Sequence, residues 1–556
     1  MRTFSFLPDS WRRFAARLPS LGILVAFGLL LLYVGVDVLN RSSFPEILRR
    51  RAFPDWKAGK LLSTAWNFTL FTGFSFLLVS LLPHWFPKLR KPHWAFMLCA
   101  SLLCPVYMLL FTIYSVPDEM YHYSQTLIRA AALTRTSQLD ESYLFTEFKS
   151  HSNSTDGYLL MRHVFKRTPP VGVDVDIPAR EPARPGEAHD HENLEYDPLF
   201  LHPAGNALHY VSQTAGLALG LSLGLPPAAC FYLGRFTAVL FYILAMTLAI
   251  RISPVLKQCL AVVALTPIAL QQACSYSYDN ETLVCCFLCF AFFLKVARES
   301  AQPLSVWEKL AVCALVACGM AIKGTALPFL PLLLFIPASR FKTGNVGKVL
   351  FLAAIAALSV CTIMVSVKGV EFGAMPDGKP ALGCWDLARH PLHFAHMLCN
   401  TLDKDLSGCR LALSAFGFGM SGLSIWLPLF HPLLFVVFFV AAARLDDDTV
   451  PRPLRHAAAF GFLLVTASTV TAMITTWTPA RATQIMGLQG RYWTPVLPLL
   501  ALALFTKRRR CATETAPAAP AAPETIGKER FLFPSVMAAH LAVVTFVIKQ
   551  SILRGF

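Results

Sequence analysis

Two adjacent carboxylates, Asp118 and Glu119, follow an apolar run from Trp94 to Tyr114, with His122 three residues further on. Ionisable groups near a bilayer cost about 2.5–3.5 kcal/mol each at mid-depth, so they are retained where chemistry needs them. A positioned carboxylate that takes a proton in a transition state contributes about 10²–10⁴-fold. If the run is a helix ending at Pro117, the acids face the negative end of its dipole, which favours a proton-accepting role. The plainer alternative is that Pro117 stops the helix and the acids meet water.

Cations with phosphate-binding character are spread along the chain. Arg235, in Tyr232-Leu233-Gly234-Arg235, lies early in an apolar run, where a guanidinium either snorkels to lipid phosphate or holds an anion. Lys323, in Ile322-Lys323-Gly324, sits between two apolar runs as a surface anchor or as a phosphate contact. Arg491, in Gln489-Gly490-Arg491-Tyr492, is flanked by groups suited to a phosphate or sugar clamp, although interfacial aromatics are often only a belt. Tyr278-Asp279 opens another run. Asp279 there is an N-cap, a ligand for a sugar hydroxyl, or a cation ligand. The stretch 186–197 has metal-ligand residue types without a zinc or calcium spacing, as a solvated loop does. No Walker loop, G-x-S-x-G or H-E-x-x-H occurs.

The elements that must position these groups are membrane helices. The chain has 556 residues, 55% hydrophobic and only 15% charged, with a mean hydropathy of +0.52. Its apolar runs are near the length that crosses about 30 Å of hydrocarbon, and they lack the alternation of a barrel. An all-α polytopic transmembrane helical bundle of about 13 spans is expected: 21–39, 62–82, 94–115, 229–250, 257–273, 281–297, 306–322, 325–338, 347–367, 423–443, 457–476, 493–506 and 531–550. The formal net charge of +16 sits mostly in short loops, as the positive-inside rule requires. No basic-aromatic stripe accompanies it, so nucleic acid is not an expected partner. The run after Arg2, Arg12, Arg13 and Arg17 is too long for a signal peptide and reads as a retained anchor.

Basic clusters at Arg251/Lys257, Arg298/Lys309, Arg340–Lys348, Arg444–Arg455 and Lys507–Arg510 fall on alternate loops and mark the cytoplasmic face. The loop between the first two runs breaks this rule, so the orientation of those two helices is left open. With the basic loops inside, Asp118-Glu119, Tyr278-Asp279, Lys323 and Gly490-Arg491-Tyr492 all lie on the outer face. The insertion 117–228, about 110 residues, is too long for a structureless loop. Its segment 204–224 is apolar enough to span, but counting it so inverts every later loop; an interfacial helix is preferred. The division expected is 1–93, a two-helix appendage; 94–506, the core; 507–530, an Ala/Pro-rich linker; and 531–556, a last membrane helix. Cys384, Cys399 and Cys409 share one outer loop, as a disulfide or as free thiols.

The ordered set Pro117-Asp118-Glu119-x-x-His122, His202-Pro203, Tyr232-Leu233-Gly234-Arg235, Ser277-Tyr278-Asp279, Lys323-Gly324 and Gln489-Gly490-Arg491-Tyr492 resembles a bacterial polytopic membrane family of unknown function. That family is similar to the GT-C glycosyltransferases, including aminoarabinose transferases of lipid A and protein mannosyltransferases. The resemblance covers roughly 94–506. It implies a GT-C-like core with a long first outer loop carrying interfacial helices, in the bacterial cytoplasmic (inner) membrane. It further implies transfer of a sugar from a polyprenyl-phosphate donor to a glycan or lipid acceptor at the cell surface, in contact with membrane lipid. Carried over, Asp118 is the base, with Glu119 and His122 orienting it or the acceptor. Arg235, Lys323 and Arg491 hold the donor phosphate, while Tyr278, Asp279, Gln489 and Tyr492 contact substrate. Ala204 departs from the second proline that many members carry after His-Pro. The carboxylates either bind a divalent cation or act as bases alone, so a metal stays open. A transporter or flippase of lipid-linked glycans, or a non-catalytic partner in polysaccharide assembly, are the other readings.

Overall fold

The structure, a computed structural model, describes residues 58–111, 116, 118–136, 207–298, 302–366, 382–403, 411, 414–417, 430–508 and 532–544. The expected first helix, His202-Pro203, the 186–197 stretch and most of the 507–530 linker lie outside these residues. Described in chain order are α1 (Ala58–Trp85), α2 (Pro92–Leu110), α3 (Glu119–Thr134), α4 (Val211–Ser222), α5 (Pro227–Ile252), α6 (Lys257–Ala264), α7 (Pro267–Ala273) and α8 (Asp279–Ala297). They continue as α9 (Val306–Ala321), α10 (Asn345–Ser366), α11 (Pro391–Asp403), α12 (Phe430–Leu445), α13 (Arg452–Trp477), α14 (Leu497–Leu504) and α15 (Leu532–Val544). Among the described residues, the strand content is one two-residue parallel pair, Thr449–Val450 beside Lys507–Arg508.

The fold is all-α, but the count of about thirteen crossing helices is not reproduced by the described residues. Four helices are long and apolar enough to cross: α5, α8, α13 and the stretch Asn345–Val365 of α10. Further apolar helical stretches accompany them among the described residues: Phe71–Pro83 within α1, Pro92–Met108 of α2, Pro432–Leu445 of α12 and Leu532–Val544. Proline interrupts three of the expected spans, since it lacks an amide hydrogen and crowds the preceding turn. The expected span 257–273 breaks at Thr266-Pro267 into α6 and α7. The run 325–338 forms a 3-10 turn over Leu327–Phe329 and one helical turn at Leu330–Leu333, around Pro328 and Pro331. In 493–506 a 3-10 turn containing Pro495 precedes α14. Segment 204–224 yields a 3-10 turn and the 12-residue α4, too short to cross.

At the centre, α8 buries Phe287, Phe290 and Phe293 completely and packs against α5, α7, α9 and the broken 327–333 segment. Helices α10 and α13 instead leave Val349, Leu350, Phe460 and Leu463 more than half exposed. An apolar exterior of that extent suits lipid contact. Residues of α15 join the main core, where the buried His540 hydrogen-bonds the Tyr107 hydroxyl at 2.9 Å and the Leu265 carbonyl at 2.6 Å.

The molecule has two chemically different ends. The 26 residues of α5 separate its termini by about 39 Å. At its C-terminal end, Asp448 accepts from the Leu256 amide, and Asp446 accepts from the amides of Gln258 and Cys259. Lys507 pairs with Asp447 there. These are basic-loop segments, drawn together as the alternation of charge required. Among the described residues, the motifs around Asp118-Glu119, Arg235, Tyr278-Asp279, Lys323 and Arg491 gather instead toward the other end.

Candidate functional site

Local geometry first corrects the dipole argument. Helix α2 ends at Leu110, well before the acids, and Asp118 is instead the N-cap residue of α3. Asp118 has left-handed backbone (φ 62°), which short polar side chains tolerate better than most. The acids therefore stand at the positive end of a helix dipole, where a negative charge is stabilised. The hydropathy of 94–115 conceals this break because the residues after Leu110 remain apolar.

Glu119 and Arg235 form a buried bidentate pair, with Nη2 donating to Oε1 at 2.6 Å and to Oε2 at 2.7 Å, and Nε to Oε1 at 3.0 Å. The Tyr276 amide also donates to Glu119 Oε1 at 3.0 Å. Arg235 Nη1 donates to the carbonyls of Met108, at 3.2 Å, and Phe111. Gly234 permits this approach, since a Cβ there would collide with the Tyr276 hydroxyl. Burial pushes the Glu119 carboxyl above its ordinary range, while the guanidinium and the Tyr276 amide oppose that. The pair ties together the end of α2, the start of α3, α5 and the segment before α8. Arg235 is thus placed as a structural cation with its donors committed inside the protein.

A second network lies toward solvent. Lys323 Nζ is 3.1 Å from Asp279 Oδ1, and Arg491 Nε is 3.5 Å from Asp279 Oδ2. Arg491 Nη2 reaches Asp118 Oδ2 at 3.3 Å. Asp118, Asp279, Lys323 and Arg491 are therefore one connected chain of alternating charge. Lys323 is held by a left-handed turn (φ 57°) followed by Gly324 (φ 64°); for a lysine such backbone costs about 1–2 kcal/mol. Its ammonium lies 3.8 Å from the centroid of Tyr278 and 5.7 Å from that of Tyr492. Burial works against the Lys323 charge, but Asp279 and Tyr278 outweigh it and hold the ammonium above its usual range. Arg491 sits in the 3-10 turn Gly490–Tyr492, and the Gly490 amide donates to Ser414 Oγ at 3.1 Å.

His122, on the first turn of α3, joins this network through Tyr278, its ring 4.7 Å away and edge-on. Its Nδ1 and the Tyr210 hydroxyl are 2.8 Å apart. Burial lowers the His122 pKa to about 3; Asp279 opposes this, while Lys323, Arg491 and His209 reinforce it. The imidazole is accordingly neutral at physiological pH, a hydrogen-bonding group rather than a cation.

Several residues here were not assigned by sequence reasoning. Glu281 is buried, with Ser212 Oγ donating to it at 2.5 Å and Gln213 Nε2 at 3.5 Å. His209 and Tyr210 complete an aromatic cluster with His122 and Tyr278. Glu281 lies two residues after Asp279, but its partners lie in 204–224, where apolarity masked Ser212 and Gln213. Gln489 Oε1 and His209 Nε2 are buried without a hydrogen-bond partner. Among the described residues no group of three or more His, Cys, Asp or Glu is arranged to hold a metal ion. Cys399 is a free, exposed thiol; Cys409 lies outside the described residues.

No curated protein and no solved structure matches this chain. A family described as predicted membrane protein (DUF2142), of unknown function, matches residues 102–500, well over half of the chain and spanning every residue of the site, and the chain belongs to that family.

Proposed function

We propose that the protein is an integral-membrane glycosyltransferase of GT-C type, passing a sugar from a polyprenyl-phosphate donor to a glycan or lipid acceptor at the outer face of the bacterial cytoplasmic membrane. The observation that carries this reading is the chain Asp118–Arg491–Asp279–Lys323, four charges from distant parts of the sequence, each within 3.5 Å of the next. Asp118 is half exposed and takes the proton of the acceptor hydroxyl. That oxygen attacks the anomeric carbon, and the bond from sugar to phosphate breaks with its electron pair on phosphate. Lys323 and Arg491 neutralise the charge growing there, as fixed cations do on a transferring phosphate. Direct attack inverts the anomeric centre. Tyr278, Tyr492 and the unpaired Gln489 Oε1 meet the sugar, and Arg235 keeps the floor of the site in place.

Purified protein given a labelled donor is expected to release polyprenyl phosphate, and Asp118→Asn to reduce turnover by at least about 100-fold, as for loss of a general base. Turnover unchanged in Asp118→Asn removes the proposed base. A flippase is the second reading, favoured by the Glu119–Arg235 pair, which sits about 12 Å along a crossing helix. Movement of lipid-linked glycan across sealed vesicles without a covalent product would select it.

A further inference from the structure

The two carboxylates of the charge chain differ in a way that the proposed chemistry does not require. Asp279 is fixed: its side chain is only 13% exposed and its two oxygens are divided between Lys323 and Arg491. Asp118 is loose: its side chain is 49% exposed, it makes one 3.3 Å contact with Arg491, and it does not cap its own helix by a side-chain hydrogen bond. Arg491 is nearly buried and cannot follow a ligand outward, whereas Lys323 is 35% exposed.

We propose that Asp279 is a positioning residue that holds Lys323 and Arg491 as an anion seat, and that Asp118 is the displaceable occupant of that seat. This rests on the reading that the site takes a phosphate ester. An arriving phosphate replaces the Asp118 carboxylate on the outer side of Arg491. Asp118 is released toward the acceptor as the donor arrives, so the base is unmasked when there is a sugar to transfer. Until then the carboxylate and guanidinium occupy each other. Only ion-pair exchange is involved, with no covalent step. Asp279 cannot be exchanged in the same way, because removing it would set two cations against each other without a counter-ion.

The test is equilibrium binding of dodecyl phosphate to the detergent-solubilised full chain, with inorganic phosphate in parallel to separate headgroup from alkyl contributions. Asp118→Asn keeps a residue that tolerates both the N-cap and the left-handed backbone. It is expected to tighten binding about two- to fivefold, the equilibrium worth of one half-exposed ion pair. Asp279→Asn is expected to weaken binding although it also removes a negative charge. Asp279→Glu, which keeps the charge but moves it, is expected to weaken binding as well and carries the test if Asp279→Asn does not fold. Tightening in both asparagine variants would mean that net charge alone governs affinity, and would overturn the division of roles while leaving the phosphate site standing. Unchanged affinity in Asp118→Asn would overturn the displacement. Absence of dodecyl phosphate binding to the unaltered protein would instead remove the phosphate site on which the inference rests.

Discussion

At the scale of single residues, two acids adjacent in sequence have opposite fates. Glu119 turns inward to Arg235 and Asp118 outward to Arg491. Removing one member of a buried pair leaves an uncompensated charge, at a cost of about 3–5 kcal/mol, whereas replacing both by apolar groups costs far less. Arg235→Met is therefore expected to lower the thermal unfolding midpoint in detergent markedly, and Glu119→Leu with Arg235→Met to recover much of the loss. A single variant as stable as the parent would show that the pair does not hold the four segments together. His122 gives a pH prediction of definite sign. Its folded pKa, about 3, lies below the ordinary 6.5, so the unfolded chain binds the proton first. The contribution of His122 to stability is complete above pH 6.5 and declines as pH falls toward 3, by up to about 1.4 kcal/mol per pH unit. His122→Gln is expected to flatten that part of a stability–pH curve; an unaltered slope would contradict a neutral buried imidazole. Sequence reasoning could pick out these residues because charge is rare in apolar surroundings. It could not pair them, since the choice of Arg235 for Glu119 depends on how α5 is rotated against α3.

At the scale of elements, the turns matter as much as the helices. Arg491 is aimed by a 3-10 turn pressed against the segment that includes Leu411, Ser414 and Ala415. A Cβ at position 490 would collide with the Leu411 carbonyl, Ser414 Oγ and the Ala415 amide nitrogen. Gly490→Ala is thus expected to cost about 1–3 kcal/mol, as overpacking generally does, and to impair phosphate binding by shifting Arg491. Full binding with unaltered stability would show that the neighbouring segment yields freely. Hydropathy located α5 and α8 within a few residues, because each is a continuous apolar stretch with proline outside its interior. It failed on 257–273 and 325–338, where mean apolarity stays high across Pro267, Pro328 and Pro331 while the helices break. Window averages report burial from water. They do not distinguish a helix long and apolar enough to cross lipid, such as α10, from short pieces packed inside protein, such as α6 and α7.

At the scale of the whole molecule, the separation of a basic end from the charge-paired site end turns orientation into a measurable property. The alternation of basic loops anticipated that Asp118, Asp279, Lys323 and Arg491 would share an end, and they do. It did not anticipate that α15, beyond a low-complexity linker, contributes His540 and its apolar neighbours to the main core. That residues far apart in sequence share a core is a tertiary fact without a local signal. Helix α11 offers a native probe of which side the site faces. Cys399 is an exposed free thiol on this helix; the next residue, Asn400, donates to the Thr483 carbonyl, and Thr401 accepts from the Ile485 amide. These contacts anchor α11 to the segment that leads into Gly490 and Arg491, so Cys399 reports on the site end. If basic loops face the cytoplasm, a membrane-impermeant maleimide added to intact cells is expected to label Cys399, and Cys399→Ser to lose that portion of the label. Labelling of Cys399 only after permeabilisation would put the charge chain on the cytoplasmic side. It would then be out of reach of any acceptor at the cell surface, and an outer-face transferase would have to be given up even if the pocket still bound phosphate.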